Sequence, residues 1–377
     1  MKLRAWLVVV AATLLSCGRA GPAQPVFHTL ENPARLSAWQ LFRFNGKTLT
    51  LNNRVVPYDL NSALFSDYAH KLRTVWLPEG SAAAYDEAET FAFPVGTVIS
   101  KTFYYPTSDP SGKRVLQQND ATADRLLAGF DLSSVKLIET RLLVRREHGW
   151  DALPYVWNAD QTEAMLKRAG DLKRLDLVSE EGTQSFPYVV PNANQCAGCH
   201  ATNATTRELR PIGPKARHLN RSFAYATGVA NQLQYWQQFG LLENVPASVE
   251  LPRNAVWNDA SEPLDQRARA YLDINCAHCH NAVGPADTSG LHLEASTTMG
   301  PTLGRCKPPI AAGTGTGDRQ FDIVPGNADA SIFAYRMAAT EPAVMMPELG
   351  RSLAHAEGVR LISDWIDALD GSCEVAP

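Results

Sequence analysis

The pattern Cys-x-x-Cys-His occurs twice in this chain, at Cys196-Ala197-Gly198-Cys199-His200 and Cys276-Ala277-His278-Cys279-His280, and nothing else in it restricts the fold as strongly. Each copy offers two thiols at the spacing that can add across the two vinyl groups of a haem, followed at once by an imidazole that can take the iron. Cys196, Cys199, Cys276 and Cys279 are therefore the expected covalent attachment points, His200 and His280 the expected proximal axial ligands, and two haem c the expected cofactors. Structural zinc or a redox dithiol would also use Cys-x-x-Cys. The histidine directly after both copies, in a chain that reads as exported, argues for haem.

Export is read from residues 1–16. Lys2 and Arg4 begin the chain, 5–15 are almost wholly apolar, and Leu14-Leu15-Ser16-Cys17 resembles a bacterial lipoprotein signal whose cysteine is lipidated. That apolar run is shorter than the roughly 20 residues a membrane-spanning helix needs, so it is expected to be removed. Cys17 would then carry the lipid and hold the protein on the periplasmic side of a bacterial membrane or at the cell surface. Of seven cysteines, only Cys306 and Cys373 are left, and in an oxidising compartment they are expected to pair. The formal charge of −4 becomes −6 once Lys2 and Arg4 leave. No basic stripe with interleaved aromatics is present, which argues against nucleic acid and leaves redox proteins as the expected partners.

The sequence predicts a multidomain α+β chain. A signal peptide (1–16) and a tether (17–30) precede an antiparallel β-rich domain (31–190). A first haem segment (191–262) and a second haem domain (263–377) follow, both expected to be mainly α-helical. In the β-rich part, 97–105 is rich in β-branched and aromatic residues, and Ile138, Thr140, Leu142 and Val144 alternate with Glu139, Arg141 and Leu143. One helix is expected there, capped by Asn158 and ended by Gly170. Further on, Val229, Leu233, Trp236 and Phe239 suggest a helix stopped by Gly240. Leu264, Ala268, Tyr271 and Leu272 suggest one that runs into Cys276, and Val359, Ile362, Trp365, Ile366 and Leu369 a last one. Tyr271 and Trp365 are the expected haem contacts.

Met346, stiffened by Pro347 and following His280 by 66 residues, is the expected distal ligand of the second haem, with Met345 as its alternative. The first haem is harder to assign. His218 and Met165 are its distal candidates, with His28, His70 and His148 behind them, and an open site is the alternative. The run Gly313-Thr314-Gly315-Thr316-Gly317 lacks the following Lys-Ser/Thr of a phosphate loop and reads as surface loop.

A family resemblance rests on further segments. Residues 267–280, Val324-Pro325-Gly326-Asn327 with Ser331, Met345-Met346-Pro347 and Trp365-Ile366 look like the haem domain of class I-like bacterial cytochromes. Pro57-Tyr58-Asp59-Leu60, residues 64–68, Phe93-Pro94-Val95-Gly96, Glu139-Thr140-Arg141 and Tyr155-Val156-Trp157-Asn158 resemble a family of bacterial dihaem c-type cytochrome lipoproteins. The resemblance covers nearly all of the mature chain. It implies haem c at both motifs and methionine ligation at Met346, and it supplies no substrate or catalytic residue. The expected function is single-electron transfer between redox partners. The alternatives are a dihaem peroxidase-like or oxidoreductase enzyme with an open first haem, and an electron-accepting subunit of a dehydrogenase.

Overall fold

The computed structural model describes residues 24–118, 129–247, 250–310 and 313–374. Cys17 and the signal lie outside them. The central element is a six-stranded antiparallel sheet in the order β11-β10-β9-β6-β4-β3. Its strands are β3 (Val56–Tyr58), β4 (His70–Trp76), β6 (Val98–Pro106), β9 (Val135–Arg146), β10 (Gly149–Trp157) and β11 (Ala164–Leu166). Smaller sheets surround it. β1 (Phe42–Phe44) and β2 (Thr48–Leu51) pair with β8 (Phe130–Asp131), while β12 (Asp171–Ser179) lies between β13 (Gly182–Val190) and β7 (Arg114–Leu116). Further along, β14 (Ser222–Tyr225) and β15 (Gly228–Asn231) form a hairpin, and β16 (Leu242–Glu243) pairs with β5 (Ala83–Ala84).

Alternation along the long strands divides the side chains between two faces. Leu72, Tyr104, Leu142, Leu153 and Tyr155 pack on one face with Trp39 and Phe130. On the other face, Phe103, Tyr105 and Ile138 pack under β12 and β13 at one end, and Val75 and Ile99 pack with Leu219, Leu233 and Trp236 at the other. The side chains of Arg73, Lys101 and Arg141 lie between these two clusters.

The six helices among the described residues are α1 (Ala193–His200), α2 (Ala216–Leu219), α3 (Gln232–Gln238), α4 (Leu264–Asn275), α5 (Ile332–Ala338) and α6 (Ala356–Asp367). They correct the expected fold class. Strand accounts for 28% of the structure and helix for 19%, so the chain is mostly β and neither haem segment forms a helical cytochrome domain. Between α4 and α5 the backbone follows loops and single turns, because residues 282–317 are punctuated by Gly284, Pro285, Gly290, Gly300, Pro301 and Gly304.

Two expected helices also change. Residues 158–163 turn β10 back into β11, and Asn158 Oδ1 accepts from Thr162 N at 2.9 Å and Glu163 N at 3.3 Å. The capping capacity of Asn158 is used to close a hairpin. Val229 lies on β15 and is 75% exposed, so the helix begins only after Asn231, whose side chain accepts from Leu233 N. α4 and α6 do form and pack together, with Trp365 Nε1 donating to Asp265 Oδ1 at 2.8 Å.

Candidate functional site

The first motif is carried on a capped helix. Asn192 Oδ1 accepts from Gln195 N while Gln195 Oε1 accepts from Asn192 N, a reciprocal box that starts α1 just before Cys196. Positions 196, 199 and 200 are spaced i, i+3 and i+4, so both thiols and the imidazole share one helix face. The second motif continues from α4. Cys279 N and His280 N both donate to the Cys276 carbonyl, which winds one more turn beyond the helix. α4 is fixed by the burial of Ala268, Tyr271, Leu272 and Asn275, again at i, i+3, i+4 and i+7.

Both histidines are held in the same way. His200 Nδ1 lies 2.7 Å from the Arg210 carbonyl oxygen, which can only accept, so Nδ1 carries the hydrogen and Nε2 keeps its lone pair. His280 Nδ1 lies 3.1 Å from Ser289 Oγ, and that hydroxyl gives its own hydrogen to the Ala286 carbonyl at 2.6 Å. Ser289 therefore accepts from His280, which likewise leaves Nε2 as a free base. Burial, with Lys101 adding to it, pushes His200 down to about 3, and burial and Arg336 push His280 down to about 4. Both imidazoles are neutral at physiological pH, the form that can take a metal.

The motifs touch although 80 residues separate them: Cys279 Sγ lies 3.7 Å from the Gly198 carbonyl oxygen. Gly198 also faces the loop that carries Met346. A Cβ there would meet Leu349 Cδ1 at 2.9 Å, so a larger residue would require the Leu349 side chain to shift. Around the contact open two apolar cavities. The larger, partly open to solvent, is lined by Cys196, Cys199, His200 and Cys276. The smaller, about 630 Å³, is lined by Cys276, His280, Met337 and Met346.

The structure brings His280 and Met346 to one cavity. Met345 is buried in the core, and neither cavity is lined by it. Arg351 fixes the Met346 loop, its Nη2 donating to the carbonyls of Ala339 at 2.8 Å and Met346 at 3.0 Å. Tyr271 lines the larger cavity, whereas Trp365 packs in the core between α4 and α6. Cys306 and Cys373 are joined by a disulfide.

The first-haem candidates are not brought to either cavity. His218 is buried with Nδ1 on the Gly213 carbonyl at 3.1 Å and Nε2 on Asp273 Oδ2 at 2.7 Å, so both ring nitrogens already face acceptors. Although burial opposes it, His218 and Arg217 hold the Asp273 carboxyl well below the usual carboxylate range. Met165 is 38% exposed on the edge strand β11. His28 bonds to the Ala38 carbonyl and His148 to Asp151. Two other histidines line the larger cavity, His278 and His355. His278 lies inside the second motif and its buried Nδ1 has no hydrogen-bond partner among the described residues. His355 stacks on Phe65, with ring centroids 4.3 Å apart, and its Nδ1 is 2.9 Å from Tyr271 Oη. Position within the Cys-x-x-Cys spacer could have pointed to His278; no local sequence signal marks His355.

The expectation of a metal-binding site must be corrected. Among the described residues, no group of three or more His, Cys, Asp or Glu side chains could hold a metal ion. Burial also raises all four motif thiols, Cys276 and Cys279 to about 12, so a reactive dithiol is disfavoured. A metal enclosed in a macrocycle asks less of a protein, one or two axial side chains and a dry cavity. The tethered imidazoles and the apolar cavities fit that requirement. Comparison of the chain with family models, curated proteins and solved structures finds no match in any of the three.

Proposed function

We propose that the protein is an exported, lipid-anchored dihaem c-type electron carrier that passes single electrons between redox proteins, and that it belongs with the bacterial dihaem cytochrome lipoproteins it resembles. The observation that carries this reading is the matched pair of histidines, each after two thiols that are buried or half-buried, each with Nδ1 tied to an acceptor and Nε2 left free beside an apolar cavity. When bound, haem supplies a one-electron iron couple. The chain's own part is to anchor and orient. Cys196 and Cys199, and Cys276 and Cys279, are the attachment points. Arg210 and Ser289 fix the tautomers of His200 and His280. Met346, held by Arg351, supplies a thioether to the second haem.

Contact between the motifs supports transfer within the molecule, since Cys279 Sγ lies 3.7 Å from the Gly198 carbonyl of the other motif. Expression in a host with haem-attachment machinery, followed by intact mass, tests the reading. Two haem masses per chain are expected; one or none overturns it.

A further inference from the structure

The sheet face opposite the first motif has an unusual charge arrangement. In the ladder, Arg73 on β4 pairs directly with Lys101 on β6, and Lys101 pairs with Arg141 on β9. Like charges directly opposite each other destabilise a sheet. The two outer members are compensated. Arg73 Nη1 lies 2.7 Å from Asp59 Oδ1, and Arg141 makes a bidentate pair with Glu139 at 2.6 and 2.9 Å. Lys101, in the middle, has no ion-pair partner among the described residues. Its ammonium lies 5.2 Å from the Phe103 ring centroid, which Arg141 also covers at 4.2 Å. A desolvated cation between two others is costly unless an anion meets it. Arg73, Lys101 and Arg141 line the larger cavity together with Cys196, Cys199 and His200, so that anion has a place to come from.

We infer that the Arg73–Lys101–Arg141 row is a carboxylate-binding site, and that the carboxylates it takes are the propionates of the haem attached at Cys196 and Cys199. The inference rests on the dihaem reading. A macrocycle clasped by α1 presents apolar edges to the cavity and needs a polar wall for its two acid groups, and the row is the cationic surface facing the first motif across that space. A cation held on a propionate stabilises the electron-rich reduced iron, so Lys101 should raise the potential of the first haem and leave the second almost unchanged.

The test uses holoprotein with two haems, as wild type, Lys101→Gln, Lys101→Met and Lys101→Arg, each checked for haem content by mass and titrated by spectroelectrochemistry. Wild type without haem would defeat the dihaem reading before the row is tested. With haem in place, the expected result is a lower first-haem potential in Lys101→Gln, recovery in Lys101→Arg and no shift in the second haem, followed by its methionine-linked absorption. Lys101→Met reads the same quantity if the glutamine variant does not fold. Potentials unchanged in both neutral variants, or shifted equally at both haems, overturn the inference. So does a potential that separates wild type from variant only when acetate is added at constant ionic strength, because the row would then serve a free carboxylate.

Discussion

At the scale of single residues, the clearest division is between side chains that are held ready and side chains already in use. Met346 and Met345 are neighbours with the same chemistry, yet only Met346 lines the cavities. Met346→Ala in the haem-loaded protein is therefore expected to remove the thioether–iron charge-transfer band and lower that haem's potential, while Met345→Ala keeps the band; visible and near-infrared spectra with a redox titration check it. Asp273 is in use. It receives His218, Nε and Nη2 of Arg217 and Asn254, with no side-chain exposure. Asp273→Ala leaves these donors unmatched and should cost about 3–5 kcal/mol in denaturant unfolding. Asp67 gives a pH dependence of opposite sign to that of a common salt-bridged aspartate. Burial raises it to about 6 although the Ser352 and Leu353 amides donate to it. The folded state thus holds this proton more tightly than the unfolded chain, with its pKa of about 3.9, and the stabilisation present below about pH 4 is lost as pH rises toward 6. Asp67→Asn should remove that slope from a series of unfolding midpoints.

Elements show which parts of the chain were legible. The β-rich runs around residues 98–106 and 135–146 became β6 and β9 because their periodicity and composition agree. The stripe before Cys276 became α4 for the same reason. The stretch after Asn158 reads as a helix because Asn158 has capping chemistry and Gly170 can end one, and no local rule distinguishes that from a hairpin turn. The helical expectation after residue 190 failed more broadly. Short apolar stripes do form helices there, but glycines and prolines force loops between them, and the apolar side chains of those loops, such as Leu291, Leu293 and Leu303, pack on α4 and α6 without being helical. Met165 and His218 were named from sequence distance, which carries no information about the long-range contacts that placed His355 beside Phe65. α1 offers a test at this scale. Asn192→Ala removes half of its reciprocal cap and should cost about 1 kcal/mol, read by chemical denaturation.

The whole molecule is tied together across long stretches of chain. Phe65 N donates to Asn275 Oδ1, Tyr68 Oη donates to Glu357, and Ser352 N reaches Asp67, so the segment after residue 263 is fastened to the sheet domain. The disulfide between Cys306 and Cys373 closes a loop of 67 residues. Replacing both cysteines by serine should lower stability by about 4 kcal/mol on the chain-entropy account, measured as a shift in unfolding free energy. The contact between Cys279 and Gly198 bears on biogenesis. Once α1 has packed against the turn after α4, Cys196 is buried and Cys199, Cys276 and Cys279 are half-buried, so an attaching enzyme has less access to them than in the extended chain. On the dihaem reading, loading is then expected to precede closure, the two motifs being modified while the chain is still extended. Chain folded first without haem should stay empty when haem and the attachment machinery are supplied afterwards, whereas chain supplied with them during export should be filled.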